Sequence, residues 1–466
     1  MKKIALVLIT TLVTLSMYGQ DITGQWNGML NVQGTQLRLV FNITHSDKGY
    51  SSTMDSSDQG AKGIPVTSTS YENSILKLKI STLGVLYEGT LDKKNVFVGT
   101  FKQSGQSFSL NLTREEIEKK PIVRPQEPTK PYSYYSEDVK FENTKDKIVL
   151  AGTLTLPKKE GNFPAVVLIS GSGPQNRDEE LLGHKPFFVL ADHLTKSGIA
   201  VLRFDDRGTA ESTGDFATAT SLDFVIDVES AIKYLQTRKE INKKRIGLVG
   251  HSEGGIIAPM VAAESKDINF IVLLAGMGIP GNQLLLLQQE LIGKAMGVSE
   301  EELQKTRSIN KAAFDIIIKS TDTESLKTEL TNYIKQTLKD NPESIESTGM
   351  SETDFIKLQV NQLTSPWMQY LIKYDPSSIL KKVKCPVIAI NGEKDLQIPA
   401  KVNLYAIEKA LKKGGNNKVT IKELPNLNHL FQKCETGLPN EYATIEQTFS
   451  PIALEEISKW IIKQMK

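Results

Sequence analysis

The chain has 466 residues, 39% of them hydrophobic and 24% charged, which is the composition of a globular protein with ample material for a core. Its length corresponds to about three domains or sub-domains. The formal net charge at pH 7 is +2, and charges of both signs are interspersed along the chain. This pattern gives no reason to expect nucleic acid or an anionic membrane surface as a partner.

Residues 1–19 have the pattern of a secretory signal peptide. Lys2 and Lys3 precede an apolar run over residues 4–15, and Gly19 is a small residue at a cleavage position. The apolar run is too short for a stable membrane anchor, and no cysteine lies near the cleavage region to carry a lipid. The mature protein is therefore predicted to be periplasmic or secreted.

Residues 20–113 are predicted to form a small all-β domain, as a barrel or a sandwich. Short segments with partial apolar alternation recur along this stretch and are separated by turns such as Asp47-Lys48-Gly49. The domain carries no acid–base cluster, so a binding, spacing or docking role is favoured over catalysis. Residues 114–133 contain four prolines and are predicted to be an extended linker.

Residues 134–466 alternate between apolar strands and helices. Uninterrupted apolar runs, such as residues 165–169 and 270–274, are typical of strands buried on both faces of a parallel sheet. A doubly wound, mostly parallel α/β sheet is therefore predicted. Residues 281–380 contain only helical segments and are predicted to form a cap over the carboxyl ends of the strands. The alternative is a helical layer away from the site.

The sequence Gly250-His251-Ser252-Glu253-Gly254 joins a predicted strand to a predicted helix. A turn this sharp needs small residues around the serine, because a Cβ there would collide with the neighbouring strand or helix. The strained turn lifts the serine hydroxyl clear of the sheet as a nucleophile. By itself the pattern is weak, since a chain of this length matches it by chance roughly one time in seven.

A nucleophilic serine needs a base, and the base needs an orienting acid. Only His429 follows Ser252 in the chain, on a loop just past a predicted strand. The other four histidines lie before the serine: His45, His184, His193 and His251. His251 is expected to point away from the hydroxyl. Asp395 ends a strand between Ser252 and His429, with Glu393 as the alternative acid, and the order serine, aspartate, histidine is that of α/β-hydrolases.

Two backbone N–H groups are predicted to bind the oxyanion of an acyl-transfer reaction. One belongs to Glu253, and the other belongs to Ser172 in the loop over residues 170–174. Gly171-Ser172-Gly173 resembles the start of a dinucleotide fingerprint, but Asn176 occupies the third glycine position. No ligand spacing indicates a metal, and no cofactor is expected.

From residue 134 to its end, the chain resembles bacterial α/β-hydrolases of the serine-esterase and serine-aminopeptidase-like group. The motifs that carry the resemblance are Ser-Gly-Ser-Gly-Pro at 170–174, Arg-Phe-Asp-Asp-Arg-Gly at 203–208, Ser-Thr-Gly at 212–214, Gly-His-Ser-Glu-Gly-Gly at 250–255, Gly-Glu-Lys-Asp at 392–395 and Asn-His at 428–429. Members with a β-rich N-terminal extension tend to be carboxylesterases. Within the resemblance, Asp206 and Arg207 are expected to brace the oxyanion loop.

The leading hypothesis is a serine carboxylesterase that acts on small, short-acyl esters through an acyl-enzyme. One alternative is an aminopeptidase or acylpeptide-type hydrolase, in which Glu253 or acids of the cap would hold the substrate's ammonium group. Acyl-CoA thioesterase activity is less favoured, because CoA is scarce outside the cytoplasm. Another alternative is a glycan- or surface-binding protein that acts through the β domain.

Two further expectations concern single side chains. Trp367, Met368 and Tyr370 of the cap either line an acyl pocket or belong to its core. Cys385 and Cys434 are placed at opposite edges of the sheet, beyond disulfide distance, and are expected to be unpaired.

Overall fold

A computed structural model describes residues 21–32, 35–56, 61–103, 106–118, 124–342, 345 and 351–465. The predicted signal peptide lies outside these residues, as do parts of the predicted linker and cap. The chain divides into two compact units, with the main boundary between residues 119 and 120. None of the described helices is long and apolar enough to cross a membrane.

The first unit is one antiparallel sheet. Its order is β4-β3-β2-β1-β10-β8-β7-β6-β5, and β9 pairs with β8. The strands are β1 Gly24–Val32, β2 Thr35–Ser46, β3 Gly49–Ser56, β4 Ala61–Pro65, β5 Ser68–Glu72, β6 Ile75–Ile80, β7 Val85–Leu91, β8 Phe97–Gln103, β9 Gln106–Ser109 and β10 Leu112–Thr113. The all-β prediction is confirmed.

The sheet curls around an aromatic core until β3 meets β5. The Ser52 and Thr69 hydroxyls lie 2.6 Å apart, and the Val66 N–H donates to the Ser52 carbonyl at 3.1 Å. Trp26 and Phe97 are fully buried inside the curl, with ring centroids 4.5 Å apart. The described residues of this unit therefore form one antiparallel half-barrel sheet.

The second unit contains an eight-stranded sheet of order β11-β12-β14-β13-β15-β16-β17-β18. β11 and β12 form an antiparallel hairpin, β12 pairs antiparallel with β14, and the other pairs are parallel. The strands are β11 Tyr135–Asn143, β12 Ile148–Leu156, β13 Phe163–Ile169, β14 Ala200–Phe204, β15 Ile241–His251, β16 Ile268–Leu274, β17 Val387–Gly392 and β18 Val419–Leu424.

Helices cover both faces of this sheet. They are α1 Pro186–Lys196, α2 Ser221–Thr237, α3 Gly254–Glu264, α10 Ala400–Lys413 and α11 Pro451–Gln464. Alternate residues of β13 enter two different cores: Val167 packs on the face of α2, α3 and α10, whereas Val166 packs on the face of α1 and α11. Strands covered on both faces have no room for polar side chains, so the doubly wound prediction is confirmed.

Between β16 and β17 the described chain is helical. The helices are α4 Gly281–Ala295, α5 Glu300–Lys319, α6 Thr323–Asp340, α7 Glu352–Leu363, α8 Pro366–Lys373 and α9 Pro376–Leu380. The insertion has its own core, in which Leu326 and Leu330 of α6 pack with Ile317 of α5. A second apolar cluster joins Leu284 and Leu371 to α3, which directly follows the Ser252 turn. This packing fixes α4 and α8 beside the turn.

The predicted linker is partly docked rather than free. The buried Arg124 guanidinium donates to the carbonyl groups of Leu182, Gly183, Ala443 and Ile445. The Gln126 side chain binds the backbone of Thr448 and Phe449. The described part of the stretch begins with a turn, in which the Glu127 N–H donates to the Arg124 carbonyl at 3.0 Å. The Arg124 guanidinium, with its four carbonyl partners, holds the stretch on the second unit.

Candidate active site

The turn between β15 and α3 is strained at the predicted nucleophile. Ser252 has φ +52°, in the left-handed region that residues with a Cβ rarely adopt. A Cβ on Gly250 would lie 2.0 Å from the Gly254 carbonyl oxygen, and a Cβ on Gly254 would lie 2.2 Å from the Ile169 carbonyl oxygen. Glycine on both sides of Ser252 is therefore required by backbone crowding, the reason expected from the sequence.

The predicted acid and base are hydrogen bonded to each other. His429 donates from Nδ1 to Asp395 Oδ2 at 2.8 Å, and both residues are buried. Asp395 Oδ1 accepts the N–H groups of Gln397 and Ile398, each at 2.8 Å. These bonds fix the carboxylate and leave Nε2 of the ring for another partner.

The alternative acid, Glu393, binds elsewhere. It is exposed, and its carboxylate accepts the N–H of Asn426 at 3.0 Å. The loop that carries His429, residues 425–432, crosses directly over Gly392, where a Cβ would lie 2.3 Å from the Leu427 carbonyl oxygen. This close crossing brings His429 to Asp395 and not to Glu393.

The loop over residues 170–174, here called the oxyanion loop, is held from behind. Asp206 accepts the Ser170 hydroxyl at 2.8 Å and the Gln175 N–H at 3.0 Å, and burial raises the pKa of Asp206 well above its usual range. Gly171 donates its N–H to Glu179 Oε1 at 2.6 Å. Among the described residues, the N–H groups of Ser172 and Glu253 donate to no protein group, so both are available to a ligand.

Arg207, the second expected brace, is directed elsewhere. Its guanidinium binds both carboxylate oxygens of Asp227, at 2.7 and 2.9 Å, and also Asp146 at 2.8 Å. Asp227 belongs to α2, so Arg207 ties α2 to the β11–β12 hairpin. Asp206 alone of this pair contacts the oxyanion loop.

A cavity of about 100 Å³ opens at Ser252. Its lining is mostly apolar and comes from the sheet edge, α3 and the cap: Ser172, Ser252, Glu253, Ile256, Met277, Leu284, Leu285, Gln288, Trp367, Leu371, Gln397 and Ile398. Trp367 is the one of the three cap residues singled out above that lines this cavity. Met368 packs in the cap core, and Tyr370 packs on Tyr374.

The Glu253 carboxylate is occupied by two protein donors. Its Oε1 accepts the Ser221 hydroxyl at 2.6 Å and the Trp367 indole N–H at 2.9 Å. Burial raises the pKa of this carboxyl, although both hydrogen bonds act to lower it. A buried carboxyl with a raised pKa is poorly suited to hold a substrate ammonium group, the role considered for it in the peptidase alternative.

The remaining histidines of this unit stand apart from the Ser252 hydroxyl. His184 binds the Thr448 hydroxyl and the Tyr442 carbonyl, and burial lowers its pKa to about 4. His193 binds Ser458. His251 turns away from the hydroxyl, as expected, and both of its ring nitrogens have hydrogen-bond partners. Its Nδ1 lies 2.8 Å from Glu179 Oε1, and its Nε2 lies 3.0 Å from the His429 carbonyl oxygen.

Glu179 is the site residue that the sequence did not indicate. It is buried with φ +51° on the stretch between the oxyanion loop and α1. No motif or spacing marks it, because its partners Gly171 and His251 come from other segments. The one sequence feature that could have pointed to this pair was a histidine, His251, directly before the serine.

No metal site accompanies these residues in the described part of the chain, where no group of three or more His, Cys, Asp or Glu side chains could hold an ion. Cys385 and Cys434 are free thiols, as predicted. Burial raises the pKa of Cys385 to about 12 and that of Cys434 to about 11. Neither thiol is a ready nucleophile.

The fold and the site together define the class of protein. A serine on a strained turn between a parallel strand and a helix, with an Asp–His pair after two later strands, is the arrangement of an α/β-hydrolase. A family model described as X-Pro dipeptidyl-peptidase (S15 family) matches residues 146–423. This match spans more than half of the chain, and the chain belongs to that family of hydrolases.

Individual relatives were also found. The chain is 25% identical to esterase EstD of Thermotoga maritima over 377 residues, which cover 80% of this chain and 76% of the relative. Among solved structures, the Pyrococcus furiosus esterase Pf2001 has a TM-score of 0.43 at 17% identity, over 72% of this chain and 94% of that one. DcsB in complex with its substrate analogue has a TM-score of 0.43 at 16% identity, over 71% and 99%.

Proposed function

We propose that the protein is a serine hydrolase that cleaves small, short-acyl carboxylic esters through an acyl-enzyme. The observation that carries the proposal is the 2.8 Å hydrogen bond between His429 and Asp395. Ser252, on its strained turn, borders an apolar cavity at the same edge of the sheet. The likeness to esterase EstD supports an ester as the substrate.

In the proposed mechanism, Ser252 Oγ attacks the ester carbonyl carbon while His429 Nε2 takes the hydroxyl proton. Asp395 keeps the ring in the tautomer that can accept this proton and stabilises the imidazolium that forms. The N–H groups of Ser172 and Glu253 donate to the oxyanion of the tetrahedral intermediate. His429 then protonates the departing alcohol, and a water molecule activated by the same ring releases the acid from Ser252.

The size and polarity of the cavity support a short acyl group. Pockets for drug-sized ligands measure roughly 300–1,000 Å³. The cavity at Ser252 measures about 100 Å³, and Leu284, Leu371 and Ile398 supply apolar walls. We therefore expect acetyl to butyryl esters to fit and longer chains to be excluded.

The experiment is a panel of nitrophenyl esters of rising acyl length, assayed with wild type and Ser252→Ala. We expect kcat/KM to peak between acetyl and butyryl and Ser252→Ala to lower turnover by about 10⁴ or more. His429→Ala should lose a similar factor. Near-wild-type hydrolysis by a folded Ser252→Ala protein would falsify the proposal.

Peptidase activity is the second candidate, and the family match favours it. The matching model is described as an X-Pro dipeptidyl-peptidase, so the panel includes X-Pro nitroanilides and aminoacyl nitroanilides beside the esters. The occupied Glu253 carboxyl speaks against an ammonium site beside Ser252. Turnover of nitroanilides faster than of any ester would make the peptidase the better assignment.

Export to the periplasm or the medium is part of the proposal. It rests on the basic and apolar pattern of residues 1–19. Mass spectrometry of the protein made by secretion-competent cells should find an N-terminus at Gln20. Protein that still carries Met1 in the cell-free supernatant or the periplasm would contradict processing at this position.

A further inference from the structure

The ring of His251, the residue directly before Ser252, has an oxygen atom facing each of its nitrogens. Nδ1 faces Glu179 Oε1 at 2.8 Å, and Nε2 faces the His429 carbonyl oxygen at 3.0 Å. A carbonyl oxygen only accepts, and an ionised carboxylate only accepts. An imidazole can donate at both nitrogens only when it carries both protons. With Glu179 ionised, these two hydrogen bonds require both ring protons and form a buried imidazolium–carboxylate pair.

Glu179 extends this pair to the oxyanion loop. The same Oε1 atom accepts the Gly171 N–H at 2.6 Å, one residue before the proposed oxyanion donor Ser172. A continuous chain of hydrogen bonds thus runs from Gly171 through Glu179 and His251 to the backbone of His429. It joins the segments that carry the proposed oxyanion donor and the proposed base.

We propose that His251 and Glu179 are positioning residues, whose charged pair sets the oxyanion loop and the His429 loop at the spacing that the transition state requires. This inference rests on the proposed function. Neither side chain touches the reacting atoms. The oxyanion hole acts only when its donors are fixed in place, and a displacement of about 1 Å in an active site costs roughly 10²-fold in rate.

The charge makes the bridge depend on pH. Burial acts to lower the pKa of His251, but the charge of Glu179, its hydrogen bond and the His429 carbonyl outweigh burial and raise it. The groups that face the ring are Glu179, the His429 ring at 4.9 Å, the Asp395 charge and the Phe431 ring. Since the pKa is raised, the imidazolium that donates both bonds persists to higher pH than a free histidine would, and the bridge breaks as the pH rises through that pKa.

The experiment compares His251→Asn and Glu179→Gln with wild type. His193→Asn is the matched control, because it is the same exchange at a part-buried histidine bound to Ser458. Steady-state hydrolysis of a nitrophenyl butyrate is measured from neutral to alkaline pH. We expect His251→Asn to lower kcat about 10- to 100-fold with KM changed less than about threefold. His193→Asn should retain wild-type kcat.

Glu179→Gln tests the charge separately from the shape. Glutamine keeps an acceptor for the Gly171 N–H but has no negative charge to stabilise an imidazolium at His251. The alkaline fall in kcat that is expected of wild type should therefore disappear in this variant. If the pair had only a structural role, the variant would yield less folded protein, and the pH profile of kcat for the molecules that remain folded would not change.

Two results would overturn the inference. One is a folded His251→Asn protein with wild-type kcat, and the other is an alkaline limb that is unchanged in Glu179→Gln. If His251→Asn does not fold, the Glu179→Gln profile decides. Labelling of Ser252 by a serine-directed phosphonate is scored in each variant. Active Ser252→Ala protein would refute the proposed function, whereas normal labelling with an unaltered kcat refutes only the bridge.

Discussion

Trp367 of α8 donates its indole N–H to Glu253 at 2.9 Å, and this bond connects the cap to the residue directly after the proposed nucleophile. The Glu253 carboxyl also binds Ser221 at the start of α2, so three segments meet at one side chain. Trp367 lines the cavity at Ser252 as well. The helical insertion therefore holds the residue whose N–H is a proposed oxyanion donor.

Loss of this bond should weaken both folding and turnover. Trp367→Phe leaves the buried Glu253 carboxyl with one donor fewer, and the free energy of unfolding should fall by about 1–3 kcal/mol. We also expect kcat to fall while KM changes little. Trp460→Phe is the matched control, since its indole donates to Thr420 at 3.1 Å on the far side of the sheet. Denaturant unfolding and butyryl-ester kinetics on both variants provide the measurement.

Asp395→Asn should separate the two candidate acids. The amide leaves the loop geometry intact but favours the wrong tautomer of His429, and a loss of about 10⁴-fold in kcat is expected. Glu393→Gln is the control, because the Glu393 side chain is exposed and its carboxylate accepts the Asn426 N–H. The assignment of the acid fails if Glu393→Gln is the more damaging of the two.

Gly171→Ala should slow catalysis without removing a functional group. The added Cβ would lie 3.2 Å from both Ser252 Cβ and Glu179 Oε1, so the oxyanion loop must shift by a few tenths of an ångström. We expect kcat to fall by about tenfold or more, because the oxyanion donors are displaced. Stopped-flow measurement of acylation would locate the effect, and acylation at the wild-type rate would contradict it.

Arg124→Ala should show that the proline-rich stretch stabilises the second unit. It removes a buried guanidinium and leaves carbonyl groups without donors, which is expected to cost about 2–4 kcal/mol of unfolding free energy. Arg124→Lys should recover only part of this, because an ammonium cannot reach the same set of carbonyls. The exposed Lys130→Ala serves as control in the same urea titration.

His184 should make the protein acid-sensitive. Its pKa is lowered by burial from about 6.5 when unfolded to about 4 in the folded protein, so the unfolded chain binds the proton first. Stability is therefore full above the unfolded pKa and falls as the pH decreases from about 6.5 to about 4. Unfolding free energies of wild type and His184→Asn across this range should show a shallower slope in the variant.

Much of the site was predictable because its residues follow strand ends. In a parallel sheet the carboxyl ends of successive strands share one edge, so the turns after β15, β17 and β18 were expected to meet. The structure places Ser252, Asp395 and His429 at these positions, and the Asp395–His429 bond agrees with the predicted pairing. The choice between Asp395 and Glu393 needed the crossing over Gly392, which no spacing reveals.

Other parts of the molecule could not be predicted from the chain. Arg124 was included in a predicted linker, because the local composition is rich in prolines and charges. Its carbonyl partners lie some 320 residues further along the chain, and local composition carries no information about them. Arg207 was expected at the oxyanion loop beside Asp206, but neighbouring residues on a turn point in different directions. Both outcomes depend on distant partners.

The sequence by itself determined the fold class, the strained serine turn, the chain order of the proposed acid and base and the helical nature of the insertion. These features follow from apolar periodicity and from glycine at crowded positions, which are local properties. Tertiary structure alone decided that His251 binds Glu179 and the His429 backbone, and that Trp367 binds Glu253. Such bonds join segments far apart in the chain, and their energy comes from burial, which exists only once the segments have packed together.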